Sequence, residues 1–140
     1  MRRISRITII LPALFLLLLA SCATQDRSKT LTSTLSAYGG ILRWGDIASA
    51  AQFIDPAIRE KHPLTDIERA RYKQIRITEY DDGAGPHALD EFDVQQTVHI
   101  NLVNIHTQTE RSIIDHQTWH YDEKTKHWWL TSGLPDITRD

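Results

Sequence analysis

The chain has 140 residues, with 16 lysines and arginines, 18 acidic residues and a formal net charge of −2 at pH 7. This length accommodates a single domain. The slightly acidic balance argues against nucleic acid as a partner, because binding to a phosphate backbone requires a basic surface. One cysteine in the whole chain excludes an intramolecular disulfide.

The first 21 residues have the three parts of a secretory signal peptide. A basic start without acidic residues is followed by an apolar run and two small residues: Arg2, Arg3, Arg6, residues 7–19, Ala20 and Ser21. The apolar run of about 13 residues would span about 20 Å as a helix, which is shorter than the ~30 Å hydrocarbon core of a bilayer. We therefore interpret residues 1–21 as a cleaved leader and not as a retained transmembrane anchor.

The only cysteine follows this leader directly, in the sequence Leu19-Ala20-Ser21-Cys22. These four residues resemble the lipobox of bacterial lipoproteins. The resemblance implies cleavage between Ser21 and Cys22 and a thioether-linked diacylglycerol on Cys22. Two or more acyl chains anchor a protein stably, whereas a single chain binds a membrane only marginally. The alternative is a signal-peptide cysteine that is lost with the leader.

The lipobox resemblance sets the expected organisation of the chain: residues 1–21 are the signal peptide, residues 22–29 a polar lipidated tether, and residues 30–140 a single α+β domain. Loss of the leader arginines makes the mature domain more acidic, so the lipid and not a basic patch would hold it at the membrane. Ala23 differs from the aspartate of an inner-membrane retention signal. We therefore predict the periplasmic face of the outer membrane in a Gram-negative cell, and an outward-facing protein in a cell with one membrane.

Helical patterns come first in the predicted domain. Four apolar residues recur at the spacing of one helix face: Leu31, Leu35, Tyr38 and Leu42. Asp46 is placed to cap a second helix, which Asp55-Pro56 ends or bends, because a residue before proline avoids the helical region. Thr65 and Glu68 form a capping-box pattern that predicts a short third helix.

From residue 74 the apolar period changes to two, which is typical of strands with one solvent-facing side. The first strand begins at Ile75, and residues 81–86 are the strongest turn signal in the chain. A long strand follows from Phe92. Its period slips at Leu102-Val103, which predicts a β-bulge in this strand.

The last part of the chain predicts a β-hairpin. Residues 111–121 alternate as a long strand, residues 122–126 form a charged loop, and residues 127–132 close the sheet. Gly133, Pro135 and the polar residues after them are interpreted as a frayed tail.

Helices followed by hairpin-connected strands predict an α+β fold, with N-terminal helices packed on a curved, bulged antiparallel sheet of about four strands. The layout resembles the nuclear-transport-factor-2-like (cystatin-like) superfamily. The stretches that carry this resemblance are residues 31–53 with Trp44-Gly45-Asp46, Ile54-Asp55-Pro56, and the hairpin from Gln117-Thr118-Trp119-His120-Tyr121 to Trp128-Trp129-Leu130. The resemblance implies a cone-shaped sheet around the helices, although the early strand of many members is missing here.

An aromatic cluster is the first candidate site. Trp119, Tyr121, Trp128 and Trp129 lie on two strands that should pair, so several rings can meet across the hairpin. The cluster serves either as packed core or as a surface for a ligand or partner. Trp128 and Trp129 are adjacent and must point to opposite faces, so one of them is available outside the core.

Histidines are the second candidate, because four of them fall in predicted strands: His99, His116, His120 and His127. His116 and His120 would lie about 13 Å apart, which is too far for one metal ion. His120 and His127 are better placed across the hairpin, with oxygen from Asp115 or Asp122. We nevertheless predict solvated histidines, with no metal and no cofactor, and leave a pH-responsive surface as the alternative.

Enzymatic motifs are not evident in the sequence. It contains no nucleophile elbow, Walker loop or dinucleotide fingerprint, and Ser112 and Ser132 belong to no identifiable triad. The superfamily resemblance implies that a buried Asp115, or His99 near Glu79, could act as a general base inside the cone.

We predict a lipid-anchored envelope protein whose domain is a non-catalytic binding or assembly module. The membrane is reached through the lipid anchor, and an envelope protein is the possible partner. The alternative is an enzyme or small-ligand binder with a cavity behind Phe92, His99 and Asp115.

Overall fold

The computed structural model describes the backbone of residues 7–138 and the side chains of residues 23–138. The predicted leader, its cleavage after Ser21 and the lipidation of Cys22 fall outside the residues whose side chains are described, and they stay predictions. Within the described residues, no helix combines the length and the apolar character needed to cross a membrane.

The helices precede the strands, as predicted. They are α1 (Ile7–Trp44), a 3₁₀ helix (Ile47–Phe53), α2 (Pro56–Lys61) and α3 (Asp66–Tyr72). The predicted stripe of α1 faces the core, where Tyr38 and Leu42 are buried and Leu31 and Leu35 pack at its margin.

The predicted tether is helical and not an irregular leash, because residues 23–29 continue α1. No glycine or proline interrupts this part of the helix, and its Gln, Arg and Lys residues are favourable helix formers. Arg27 also ties the segment to the domain. Its carbonyl accepts a hydrogen bond from Trp128 Nε1 at 3.1 Å, and its guanidinium pairs with Glu91 at 3.2 Å.

Side-chain caps define where the short helices begin. Asp46 Oδ1 accepts from Ala48 N–H at 3.0 Å, as expected, but the helix that it caps is 3₁₀ and not α. The 3₁₀ form suits a seven-residue connection, since this helix type occurs in short pieces. Asp55 ends this segment and also caps α2. The capping box of Thr65 and Glu68 at the start of α3 is confirmed.

The sheet is antiparallel, in the order β1-β3-β4-β5, and β2 pairs with β3 beyond the end of β1. The strands are β1 (Ile75–Asp81), β2 (His87–Ala88), β3 (Asp93–Asn104), β4 (Glu110–Asp122) and β5 (His127–Leu130). The sheet curls into a half-barrel against which the helices pack, which confirms the predicted α+β class.

The predicted bulge at Leu102-Val103 is wrong. The β3–β4 register runs without a break, and the irregularity lies in β1 between Ile77 and Glu79. Leu102 and Val103 point to opposite faces, yet both are buried, so two consecutive apolar residues require no extra residue in the strand. The sheet is bulged, but at Thr78.

The predicted frayed tail is also wrong over the described residues, because the chain after β5 packs against the domain. Gly133 turns it with a φ of +84°, a conformation that glycine adopts without strain. Pro135 is fully buried, and its carbonyl accepts from Tyr72 Oη at 3.1 Å. Ile137 joins the hydrophobic core, and its carbonyl accepts from the Arg111 guanidinium.

Candidate functional site

Two of the predicted site tryptophans lie on the inner face of the sheet. Trp119 is 0% exposed and meets the ring of Tyr38 edge-on at 5.1 Å and that of Phe53 at 6.4 Å. Trp128 is buried against Tyr121, its partner across the hairpin. These contacts correspond to the core alternative.

Trp129 lies on the outer face, as expected for the neighbour of a buried Trp128. It is half-buried and stacks on His127, with ring centroids 5.6 Å apart and planes inclined by 19°. Across the strands it pairs with His120, whose Nδ1 lies 2.9 Å from Asp93 Oδ1. The structure therefore brings Trp129 and His120 together and separates both from Trp119 and Trp128.

The outer face carries the strand histidines. The alternation of each strand places five of them there: His87, His99, His116, His120 and His127. Among the described residues, no group of three His, Cys, Asp or Glu side chains could hold a metal ion. His99 is exposed between buried Val98 and Ile100, so it does not lie inside the half-barrel as the general-base alternative required.

Polar side chains lie on the inner face among the apolar ones. Gln117 is fully buried, donates to Asp115 Oδ2 at 2.8 Å, and accepts from Trp119 Nε1 at 3.3 Å. Gln96 lies beside it, with Nε2 at 3.5 Å from Gln117 Oε1. No sequence motif marks either glutamine as a site residue. The alternation of the strands could have identified them. Each glutamine lies two residues from an inward-facing valine or tryptophan, so its side chain points to the same face.

Asp115 is the one acidic residue of this buried group. Burial raises the pKa of its carboxyl above the ordinary value, and the hydrogen bond from Gln117 and the proximity of His116 offset only part of that rise. Burial likewise raises the pKa of Tyr80, which is hydrogen-bonded to Gln117, to about 12. A carboxyl that is costly to ionise in the folded state makes stability depend on pH.

Replacing Asp115 with asparagine is expected to raise the free energy of unfolding at pH 7. Folded Asp115 holds its proton more tightly than the unfolded chain does. Its favourable contribution is therefore complete below the ordinary aspartate pKa and is lost as the pH rises through the raised pKa. Asparagine stays neutral, so the difference from wild type should appear at pH 7 and vanish near pH 3. Urea denaturation at both pH values measures it.

Asp122→Asn is the matched control, and it is expected to change the free energy of unfolding in the opposite direction. Hydrogen bonds from Thr125 and Lys124 lower the pKa of Asp122, so its contribution is present at neutral pH and is lost on acidification. Asp122→Asn should therefore be less stable than wild type at pH 7. An Asp115→Asn protein that is also destabilised at pH 7 would contradict the assigned burial of Asp115.

The open edge of β4 is the least expected feature of the sheet. β5 pairs only with residues 119–122 of β4, and the chain then turns away after Thr131 and Ser132 contact Thr118. Among the described residues, residues 112–116 have β3 as their only sheet neighbour. This stretch contains neither proline nor lysine, the residues with which natural sheets often block their edges.

The β3–β4 hydrogen bonds determine which backbone groups of β4 face the open side. Asn104 N–H donates to Thr109 O at 2.9 Å, and Tyr121 N–H donates to Phe92 O at 2.8 Å. Both pairs continue the register, so the odd-numbered residues of β4 exchange hydrogen bonds with β3. The N–H and C=O groups of the even-numbered residues therefore face the open side: Ser112, Ile114 and His116.

A groove of about 590 Å³ lies along this edge, between residues 112–116 on one side and Ser132, Leu134 and Asp136 on the other. We call it the edge groove. Asp115 lines it from the inner face, whereas Ile114 points to the outer face and is 59% exposed. The groove is thus bounded by a free strand edge and lined by aliphatic side chains, serines and carboxylates.

The two serines and the histidine of the edge groove are not arranged as a catalytic pair. Ser112 Oγ donates to Asn101 Oδ1 at 2.6 Å, and His116 Nδ1 lies 3.1 Å from Thr97 Oγ1. Ser132 Oγ accepts from Thr118 N–H at 3.2 Å. A nucleophile would need its base within hydrogen-bonding distance, and these side chains are bonded to other residues.

Comparison with known proteins adds no assignment: no family model, no curated protein and no solved structure matches this chain.

Proposed function

We propose that the chain is a bacterial envelope lipoprotein, anchored by a diacylglycerol thioether on Cys22, whose single domain binds a protein partner without catalysing a reaction. Leu19-Ala20-Ser21-Cys22 supports the anchor, and the layout that resembles the nuclear-transport-factor-2-like superfamily supports a binding module. In a Gram-negative cell the domain would lie at the periplasmic face of the outer membrane.

The observation that carries the binding role is the filling of the half-barrel. Trp119, Tyr38 and Phe53 occupy its interior edge-to-face, and Trp119 and Tyr38 are 0% exposed. A small-ligand enzyme of this shape would need that volume for its substrate. The outside of the sheet and the open edge of β4 are recognition surfaces that suit a macromolecule.

The helical segment at Arg27 supports a short and rigid connection to the membrane. Residue 22 lies about 8 Å along the helix axis from Arg27, at about 1.5 Å per residue. Arg27 in turn contacts Glu91 and Trp128, at the end of β4 that carries Tyr121. Asp115 lies six positions before Tyr121, about 20 Å along the strand. The edge groove would therefore lie toward the opposite end of β4 from the proposed anchor, where a partner can reach it.

Lipidation is tested on the full precursor in a bacterial host fed labelled palmitate. Wild type should take up label and sediment with membranes, whereas Cys22→Ala should do neither. Ser21→Gly keeps a small residue before the cysteine and should behave as wild type. Label on Cys22→Ala, or its retention in membranes, would overturn the anchor.

The binding role is tested by chemical crosslinking of the full chain in its own envelope. A crosslinked protein partner at surface residues of the domain is the expected result. Exclusive recovery as an uncrosslinked monomer would count against a binding module.

A further inference from the structure

We infer that the open edge of β4 binds an extended segment of a partner protein as an added strand, and that a lysine or arginine of that segment enters the edge groove beside Asp115. This inference rests on the proposed binding function and names the chemistry of the partner. It is carried by the unpaired strand edge, the shape of the groove and its carboxylates.

The backbone supplies the first part of the site. Ser112, Ile114 and His116 present their N–H and C=O groups to the open side at the spacing of an antiparallel ladder. A row of such groups is the template for strand addition, in which main-chain hydrogen bonds give affinity and side-chain pockets give specificity. Exposed Ile114 would pack against an apolar side chain of the added strand on the outer face.

The shape of the edge groove favours one extended chain over a second folded copy. Ser132, Leu134 and Asp136 form its far wall, where the chain leaves the sheet after β5. A space of about 590 Å³ bounded on both sides admits a peptide segment. A second half-barrel that paired through the same edge would have to bring its own tail, residues 133–138, into this space.

The charge of the groove selects the side chain that enters it. Asp115 and Asp136 are the carboxylates of the described lining, and Asp136 already accepts hydrogen bonds from Thr138. Among the described residues that line the groove, His116 is the only one that can become cationic. Arg111 lies one position before the groove, where its guanidinium donates to the carbonyl of Ile137. A basic side chain beside Asp115 would pair with a carboxylate that Gln117 already orients, and pairing would offset the cost of ionising it.

We expect the substitution of Asp115 to affect the stability of the fold and the binding of a peptide in opposite directions. Asp115→Asn removes a carboxylate that burial makes unfavourable, so the fold should not lose stability at pH 7. The same change should weaken binding of a basic strand by about tenfold, which corresponds to about 1.4 kcal/mol. Glu123→Gln, in the hairpin loop remote from the groove, removes one acidic charge and should leave binding unchanged.

The probes are synthetic seven-residue peptides of alternating threonine and valine, with lysine, arginine, glutamate or alanine at the central position. Each is titrated against the full chain by fluorescence anisotropy. Lysine and arginine peptides should bind at least about tenfold more tightly than the glutamate peptide. Equal binding of all four would overturn the basic specificity, and binding of none would overturn the site.

Amide hydrogen exchange locates the bound peptide. The N–H groups of Ser112, Ile114 and His116 should become protected with the lysine peptide, and Ile114→Pro should abolish binding because it removes the central donor. Ile114→Ala keeps that donor and should retain most of the binding. Protection elsewhere, or edge amides already protected in a dimer of the free chain, would overturn the inference in favour of another surface or a second copy.

These outcomes separate the inference from the proposed function. Crosslinking of an envelope partner at Trp129 with no peptide binding at the edge would remove the inference and keep the binding module. Peptide binding by a chain that carries no lipid would keep the edge site and remove the anchor.

Discussion

Replacing Trp119 with alanine is expected to lower the free energy of unfolding by about 3–5 kcal/mol. The indole is 0% exposed, stands edge-on to Tyr38 and Phe53, and donates to Gln117 Oε1. Its loss would leave a cavity at the centre of the half-barrel and remove one of the hydrogen bonds that the buried Gln117 Oε1 accepts. Guanidinium denaturation of the full chain, followed by circular dichroism, measures the change.

Trp129→Ala is the matched control on the opposite face of the sheet. Trp129 is half-buried and contacts His127 and His120, so its removal should cost about 1 kcal/mol or less. A loss as large as that of Trp119→Ala would show that the outer face is covered in the folded protein and would contradict its availability to a partner.

Replacing Ile137 with alanine is expected to lower the free energy of unfolding by about 2–5 kcal/mol. Ile137 is 8% exposed and packs in the core, in a segment held by Tyr72 Oη on the Pro135 carbonyl. A frayed tail would give no such loss, because a solvated isoleucine contributes little to stability. Thermal and denaturant unfolding of the full chain distinguish the two cases.

Thr138→Ala is the control for the tail. The Thr138 hydroxyl donates to Asp136 Oδ1 at 2.6 Å, within an exposed turn. Its removal should change stability by about 0.5 kcal/mol or less. If Ile137→Ala and Thr138→Ala both changed the free energy of unfolding by an equal, small amount, the packing of residues 133–138 would be contradicted. The edge groove would then also lose one of its walls.

Features with a local cause were predictable from the sequence. Thr65 and Glu68 make their capping box within four residues, and Asp46 and Asp55 accept hydrogen bonds from backbone groups two positions ahead. The inward phase of Trp119 and Trp128 follows from alternation along a strand, and adjacent Trp129 must face outward.

Features that depend on distant partners were not predictable in this way. Residues 23–29 resemble a tether until Trp128 and Glu91 are brought to Arg27. Leu102 followed by Val103 suggests a bulge only if one face of β3 is solvent-exposed. The sequence does not show that both faces of the strand are buried at this point. Glutamine is a polar residue typical of the surface, and only the pairing of β3 with β4 buries Gln96 and Gln117 together.

The sequence by itself determined the α+β class, the order of helices and strands and the faces on which the hairpin tryptophans lie, because these depend on periodicity and on caps within one turn. It also contains the lipobox pattern on which the proposed anchor rests. Only the tertiary structure decided that β5 pairs with residues 119–122 alone and that the tail leaves the sheet to pack against Tyr72. The length of a strand pairing and the path of a tail are set by long-range contacts, and in this chain those contacts create the open edge of β4 and the groove beside it.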